Sequence, residues 1–347
     1  MDAIRVKRAA PDDLGTLGEM VDRIYRPQKP PGEGMPREFP HLFDPRNAAN
    51  LFFVEDRGRP VSMVGVLKQI GMVPGAAVPV ASIGSVATVP EYRGLHLASR
   101  ILQVVFDTMR DEQQALCLIS GDRDLYLRQG AIAVGQMETV FIELTPSMPR
   151  LSYPLRQVPA HLRASYASRL IRLYRQEPYR FMRTTAHMEV LLNALWFQRP
   201  GFDQQLFVIG PEDHPVAYVV VYVSARSIDQ GTIMEWAGDR AAIVQALPYV
   251  MTHMNIRHLQ FHIHEADFSM HRLADEKGWT LVPGPLQGTV KVVNEDVLRS
   301  AYRAWLAEYE PWPREEGDWG DVTARYFGRN KGQYNLPLML TDDLNYI

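Results

Sequence analysis

Gly84-Ser85-Val86-Ala87-Thr88-Val89-Pro90-Glu91-Tyr92-Arg93-Gly94-Leu95-His96-Leu97-Ala98-Ser99-Arg100-Ile101-Leu102 reads as a strand turned tightly into the first turn of an amphipathic helix. Ala98, Ile101, Leu102, Val105, Phe106 and Met109 continue it at helical spacing, which predicts a core-facing helix. The free N–H groups and positive dipole end of such a helix start suit an anion, a pyrophosphate above all. Gly94 lets backbone approach the phosphates, and Arg93 adds charge at the mouth of the loop. A glycine inside a strand, here Gly84, marks a bulge or the close approach of another backbone.

Outward from this stretch the chain predicts an α/β protein. On its N-terminal side lie a strand at Ile4–Arg8, a helix from Pro11 with apolar Leu14, Leu17, Met20, Val21 and Ile24, and a long Pro/Gly-broken loop from Pro27 to Pro45. A meander follows: Leu51–Glu55, Pro60–Ile70 and Ala77–Val89. Past the helix come a strand at Ala115–Ser120, a short helix at Asp122–Gln129 and a strand at Gly135–Leu144. Pro146–Pro159 reads as a linker, after which the order partly repeats: hairpin 206–224, strand 231–237, helix 240–254, strand 258–264, helix 268–277 and strand 290–293. The division expected is therefore 1–146, 147–293 and a C-terminal helix and tail at 294–347.

With 46% hydrophobic and 22% charged residues the chain has ample material for packed cores. A formal charge of −3 argues against a general nucleic-acid footprint, and no apolar run is long enough for a membrane span. One cysteine, Cys117, and no apolar leader at the N-terminus point to a cytoplasmic location. Cys117 lies in an apolar run and reads as a buried structural thiol. Eight arginines between Arg150 and Arg183 read as a solvated face, with an acidic stretch at Glu308–Asp321. His258, His262, His264 and His271 with Glu265 and Asp267 meet no metal-ligand spacing, so no metal is expected. Trp305, Trp312 and Trp319 read as packing anchors.

The Val86-Ala87-x-x-Pro90-x-Tyr92-Arg93-Gly94 lead-in, with Arg93 and Ala98 at the ends of the loop, resembles motif A of the GCN5-related N-acetyltransferases (GNAT). The element order agrees, and Tyr126-Leu127-Arg128-Gln129-Gly130 is similar to a second segment of that superfamily. His96 stands where the motif has its middle glycine. An active first domain, a second lacking the loop and a C-terminal extension resemble the enhanced-intracellular-survival family of acetyltransferases, whose extension is longer.

The resemblance implies two tandem GNAT-like mixed-sheet domains, the second degenerate, plus a short C-terminal extension. It implies acetyl-CoA as cosubstrate and an amine acceptor, with no metal. Val86, Ala87 and Thr88 would pair with the pantetheine arm, and Arg93, Gly94, Leu95, His96, Leu97, Ala98 and Ser99 would hold the pyrophosphate. Tyr126 matches the general acid, and the terminal carboxylate, here Ile347, the base, with Glu55 and a water chain as competitors. Homo-oligomeric assembly is implied by the relatives alone. Apart from the resemblance, Glu33, Glu38 and Asp44 in the long loop read either as attracting a cation such as an aminoglycoside or a lysine or, equally, as surface acids without function. Alternatives are a non-catalytic CoA-binding or acyl-sensing module, transfer of another acyl group or onto an alcohol, and a scaffold working through its arginines.

Overall fold

The computed structural model describes residues 5–135, 137–195, 202–224, 227–307, 319–328, 334–339, 341 and 343–347. They form two compact units: 1–135 with 287–341 and 346–347, and 136–286 with 342–345.

The first unit is built on a sheet of order β1-β2-β3-β4-β5-β14. Its strands are β1 (Lys7–Arg8), β2 (Leu51–Asp56), β3 (Arg59–Val73), β4 (Ala76–Thr88), β5 (Leu116–Ile119) and β14 (Thr289–Val292). Only β4 and β5 run parallel; the other neighbours are antiparallel. Helix α1 (Leu14–Tyr25) and the short α2 (Met35–Glu38) build one apolar cluster, with Leu17, Met20, Val21, Phe39 and Leu42 against Leu51, Phe53 and Met63. Helix α3 (Leu97–Asp111) builds another, burying Leu97, Ile101, Leu102, Val105, Phe106 and Met109, the stripe read from its spacing save the half-buried Ala98. Cys117 lies in that cluster, and burial pushes its thiol well above the ordinary value.

The second unit repeats the plan as β13-β6-β12-β11-β10-β9-β7. Its strands are β6 (Met137–Glu143), β7 (Leu155–Val158), β9 (Phe202–Ile209), β10 (Ala217–Ser224), β11 (Ser227–Gly238), β12 (His258–His264) and β13 (Thr280–Gly284), with a two-residue β8 (Arg180–Phe181) besides. Here β11 and β12 are the parallel pair. Helices α5 (Ala167–Tyr174) and α6 (Thr185–Ala194) carry one cluster, and α7 (Arg240–His253) and α8 (Phe268–Lys277) the other.

The division differs from 1–146, 147–293 and 294–347. The strand read at 135–144 pairs with β12 and β13 in the second sheet, and the strand read at 290–293 pairs with β5 in the first. The C-terminal segment is no separate body. Helix α9 (Glu295–Ala301), capped by Asn294, leads into α10 (Arg303–Leu306). Thr323 of α11 (Trp319–Phe327) accepts the N–H of Val292, and the Tyr302 hydroxyl donates to the Pro337 carbonyl. The expected linker also contains β7, paired with β9.

The arginine-rich stretch is not simply a solvated face. Arg163 and Arg183 are buried. Arg183 donates in fork fashion to Glu235 at 2.9 and 2.7 Å and reaches Asp343 at 3.1 Å. Most of the acidic stretch and Trp312 lie outside the described residues; the Trp305 indole donates to the Pro74 carbonyl. Among the described residues no helix is long and apolar enough to cross a membrane.

Candidate active site

The β4–β5 ladder covers Val80–Ile83 and Leu116–Ile119 and ends there. Immediately beyond, β4 bulges: Gly84 to Ala87 spans the same register as Gly65 to Met63 on β3, one residue more. Ser85 takes up the excess with φ +51°. Past the bulge the edge of β4 at Val86–Thr88 has lost its parallel partner, and extended chain can add to such an edge.

The β4 strand then delivers the chain through Pro90–Tyr92 into α3. Gly94 has φ +80° with open space where a Cβ would stand. His96 adopts the left-handed region that its glycine counterpart would use, φ 56° and ψ 24°, so the loop keeps its course at a cost of about 1 kcal/mol. No side chain caps α3, so its first N–H groups point outward beside Arg93, Leu95 and His96, all exposed. Leu97 is buried in the core, while Ala98 and Ser99 are partly accessible. Arg93 lies 3.4 Å from the Thr88 carbonyl through Nε.

Tyr126 stands on α4 (Asp124–Leu127), four residues after Asp122 and close behind β5. Its side chain is buried among the α3 cluster. Burial pushes its hydroxyl up to about 12, opposed by the Arg123 guanidinium, with Tyr25 and Tyr346 also bearing on it. Tyr25, at the end of α1, donates to the Val86 carbonyl, and burial raises its own hydroxyl despite Arg123.

Ile347 is buried against the α1–α2 cluster together with Ala87. Its carbonyl carbon lies 2.9 Å from the place a Cβ on Gly84 would occupy. Both readings of Gly84, bulge and close backbone approach, therefore apply. Of the expected set, Val86, Ala87 and Thr88 lie on β4 past the bulge, Ile347 packs with Ala87 in the α1–α2 cluster and Tyr126 packs with Val86 in the α3 cluster, while the Arg93–Ser99 loop follows the strand. Glu55, the competitor base, pairs with Lys7. Ser85, Tyr25 and Arg123 went unread, because no spacing distinguishes a serine at a bulge or a tyrosine ending an amphipathic helix.

The three acids of the long loop have partners close in sequence. Glu38 is fully buried between Arg26 and Lys29, Asp44 pairs with Arg46, and Glu33 with Arg37. Asp22 accepts the N–H groups of Gly32, Gly34 and Met35, fixing the loop as an ordered wall. Of the three, Glu38 is committed inside the fold, whereas Glu33 remains half exposed in a 3.6 Å surface pair with Arg37.

In the second unit the equivalent helix start is closed. Asp239 caps α7 by accepting the N–H of Ala242, and Arg240 is held by Glu177 and Asp267. Glu177 also takes the N–H of Gly238. Little is left there to receive a phosphate. Of the histidine-rich group, His264 stacks on Tyr179 and Asp267 caps α8.

Residues 5–131 match the family model described as acetyltransferase (GNAT) domain. Among solved structures, a GCN5-related N-acetyltransferase from Anabaena variabilis superposes with a TM-score of 0.63 at 16% identity, covering 86% of this chain and 75% of that one. A probable N-acyltransferase from Enterococcus faecalis gives 0.65 at 17% identity over 86% and 75%. Eis1 from Mycobacterium abscessus gives 0.59 at 11% identity over 86% and 76%. These likenesses concern the fold. No curated protein sequence matches.

Proposed function

We infer, from the premise that residues 5–131 form a GNAT acetyltransferase domain, that the chain moves an acetyl group from acetyl-CoA to a primary amine by direct attack. The observation that supports this most is the freed edge of β4 at Val86–Thr88 leading into an uncapped helix start, with Ile347 packed against Gly84.

In this reading the pyrophosphate sits on the N–H groups from Gly94 to Ser99 with Arg93 beside it, and the pantetheine arm pairs with Val86–Thr88. The neutral amine attacks the thioester carbon, forming C–N as the carbonyl oxygen takes negative charge near the Val86 amide. The C–S bond then breaks, and Tyr126, held protonated by its burial, gives its proton to the departing thiolate. The surplus proton on nitrogen passes to the carboxylate of Ile347.

Acetyl-CoA titration of the wild type and of Gly94→Glu, followed by acetylation of a primary-amine panel, tests the reading. Binding abolished by the substitution, with turnover of at least one amine, supports it. No acetyl-CoA binding by the wild type sinks it. Acetyl-CoA binding by the wild type with no turnover of any amine, and with affinity unchanged in Tyr126→Phe, would favour a CoA-sensing module instead.

A further inference from the structure

Past the bulge, the backbone of β4 divides its carbonyls between two sides. The Val89 N–H donates to the Val61 carbonyl on β3 at 2.9 Å, and the Ala87 carbonyl accepts the Ser62 hydroxyl, also on β3. Successive residues of a strand present their N–H and C=O groups to opposite sides. The Val86 and Thr88 carbonyls therefore turn away from β3, toward the edge where the ladder with β5 has already ended.

Both carbonyls are covered. The Tyr25 hydroxyl donates to Val86, and Arg93 lies 3.4 Å from the Thr88 carbonyl through Nε. Neither side chain belongs to the strand. Tyr25 ends α1, its ring half-buried against the α1–α2 cluster, and Arg93 stands exposed in the loop before α3. Extended chain adding to this edge pairs through the same carbonyls, so it must displace both side chains.

The order along the edge fixes where each displaced group is left. Thr88 is nearer to the start of α3 and Val86 farther, so an arm that enters from the helix start meets Arg93 first and Tyr25 last. Arg93 is left beside the phosphate end of the arm. Tyr25 is left beside its reacting end, because the ring stays seated on the α1–α2 cluster. Burial keeps its hydroxyl protonated, while the Arg123 guanidinium bears on it from the opposite direction and makes it the better donor.

We propose that Tyr25 is a catalytic residue of the acetyl transfer, releasing the Val86 carbonyl to the pantetheine arm and donating its hydrogen bond to the thioester oxygen. This rests on the acetyl-transfer reading given above. The hydroxyl remains a phenol throughout, and no proton leaves it. Its hydrogen bond strengthens as the attacking amine drives charge onto the carbonyl oxygen, which is the difference that lowers the barrier.

The test is Tyr25→Phe in the full chain, which removes the hydroxyl and keeps the packing of the ring. CoA carries the arm but no acyl oxygen, so its affinity, measured by calorimetry, reads the uncovering of Val86 alone. That affinity should rise about 2- to 10-fold, the net effect of one competing hydrogen bond. For whichever amine of the panel the wild type acetylates, kcat at saturating acetyl-CoA should fall about 10²-fold. A residue that only supported the fold would lower both when altered. CoA affinity unchanged or weakened, or kcat within about threefold of wild type, would overturn the proposal. A wild type that binds no CoA, or that acetylates no amine, would instead overturn the reading on which it rests.

Discussion

The carbonyl carbon of Ile347 stands 2.9 Å, and its Cγ1 3.0 Å, from the point that a Cβ on Gly84 would occupy. Real Cβ atoms essentially never come within 3.0 Å of another heavy atom, so a side chain at 84 forces Ile347 or the strand to shift. Gly84→Ala should lower kcat about 10²-fold while leaving acetyl-CoA affinity within a factor of about three. A variant extended by one glycine beyond Ile347 should behave alike, since it replaces the carboxylate with an amide. Full activity in both, under steady-state kinetics, would remove Ile347 from the chemistry.

Tyr126→Phe should cost about 10²- to 10³-fold in kcat with little change in stability. The pH dependence follows from the raised hydroxyl. With its folded value pushed to about 12, Tyr126 stays protonated through neutral and mildly alkaline conditions. Its raised value favours the folded state's neutral phenol, a contribution present below pH 10 and lost as pH climbs toward 12. The wild-type kcat profile should therefore show no basic limb below about pH 10. A limb near pH 8 that vanishes in Tyr126→Phe would contradict this placement of the acid.

His96→Gly should stabilise the protein by about 0.5–1 kcal/mol, because the left-handed backbone is kept and the Cβ clash removed. Urea unfolding measures it. Acetyl-CoA affinity should hold or improve. A destabilised variant would mean that the imidazole carries an interaction outweighing its backbone strain.

Asp343 offers a pH signature in the second unit. Burial pushes its carboxyl to about 6, against the pull of Arg183 and with Glu235 raising it further. Its ordinary value is 3.8, so between about pH 4 and 6 the folded state binds more protons than the unfolded chain. The Asp343 contribution to stability is full at low pH, falls as pH rises through that window and levels off above it. Stability of the wild type relative to Asp343→Asn should fall from pH 4.5 to 6.5. A difference that grows with pH would show instead a carboxylate held ionised by Arg183.

Much of this site was legible because its parts are local. The α3 stripe, the turn from Pro90 to His96 and the glycine in β4 lie within one stretch of sequence, so periodicity and turn chemistry suffice to read them. Tyr126 came from a resemblance and the terminal residue from the same source; neither spacing nor composition points to them. What stayed hidden depends on pairing at a distance. That β6 leaves the first sheet cannot be read from an alternating Met137–Glu143, because a strand's pattern states that it has one buried face and not which sheet covers it. The burial of Arg183 was equally silent, since its partners Glu235 and Asp343 lie 52 and 160 residues away.

Because Thr289–Val292 closes the first sheet and Met137–Glu143 serves the second, neither half of the chain is self-sufficient. During synthesis, strand Leu116–Ile119 must wait for about 170 further residues before its neighbour exists, roughly 10 to 30 s at ordinary rates of translation. Through that interval its edge is open to wrong pairings, including with other nascent copies. The Arg93–Ser99 loop is made early, yet the sheet that supports it is finished almost last. Maturation of the N-terminal unit is thus timed by the ribosome's arrival at the far end of the message, and a fragment stopped near residue 146 would emerge with a raw hydrogen-bonding edge.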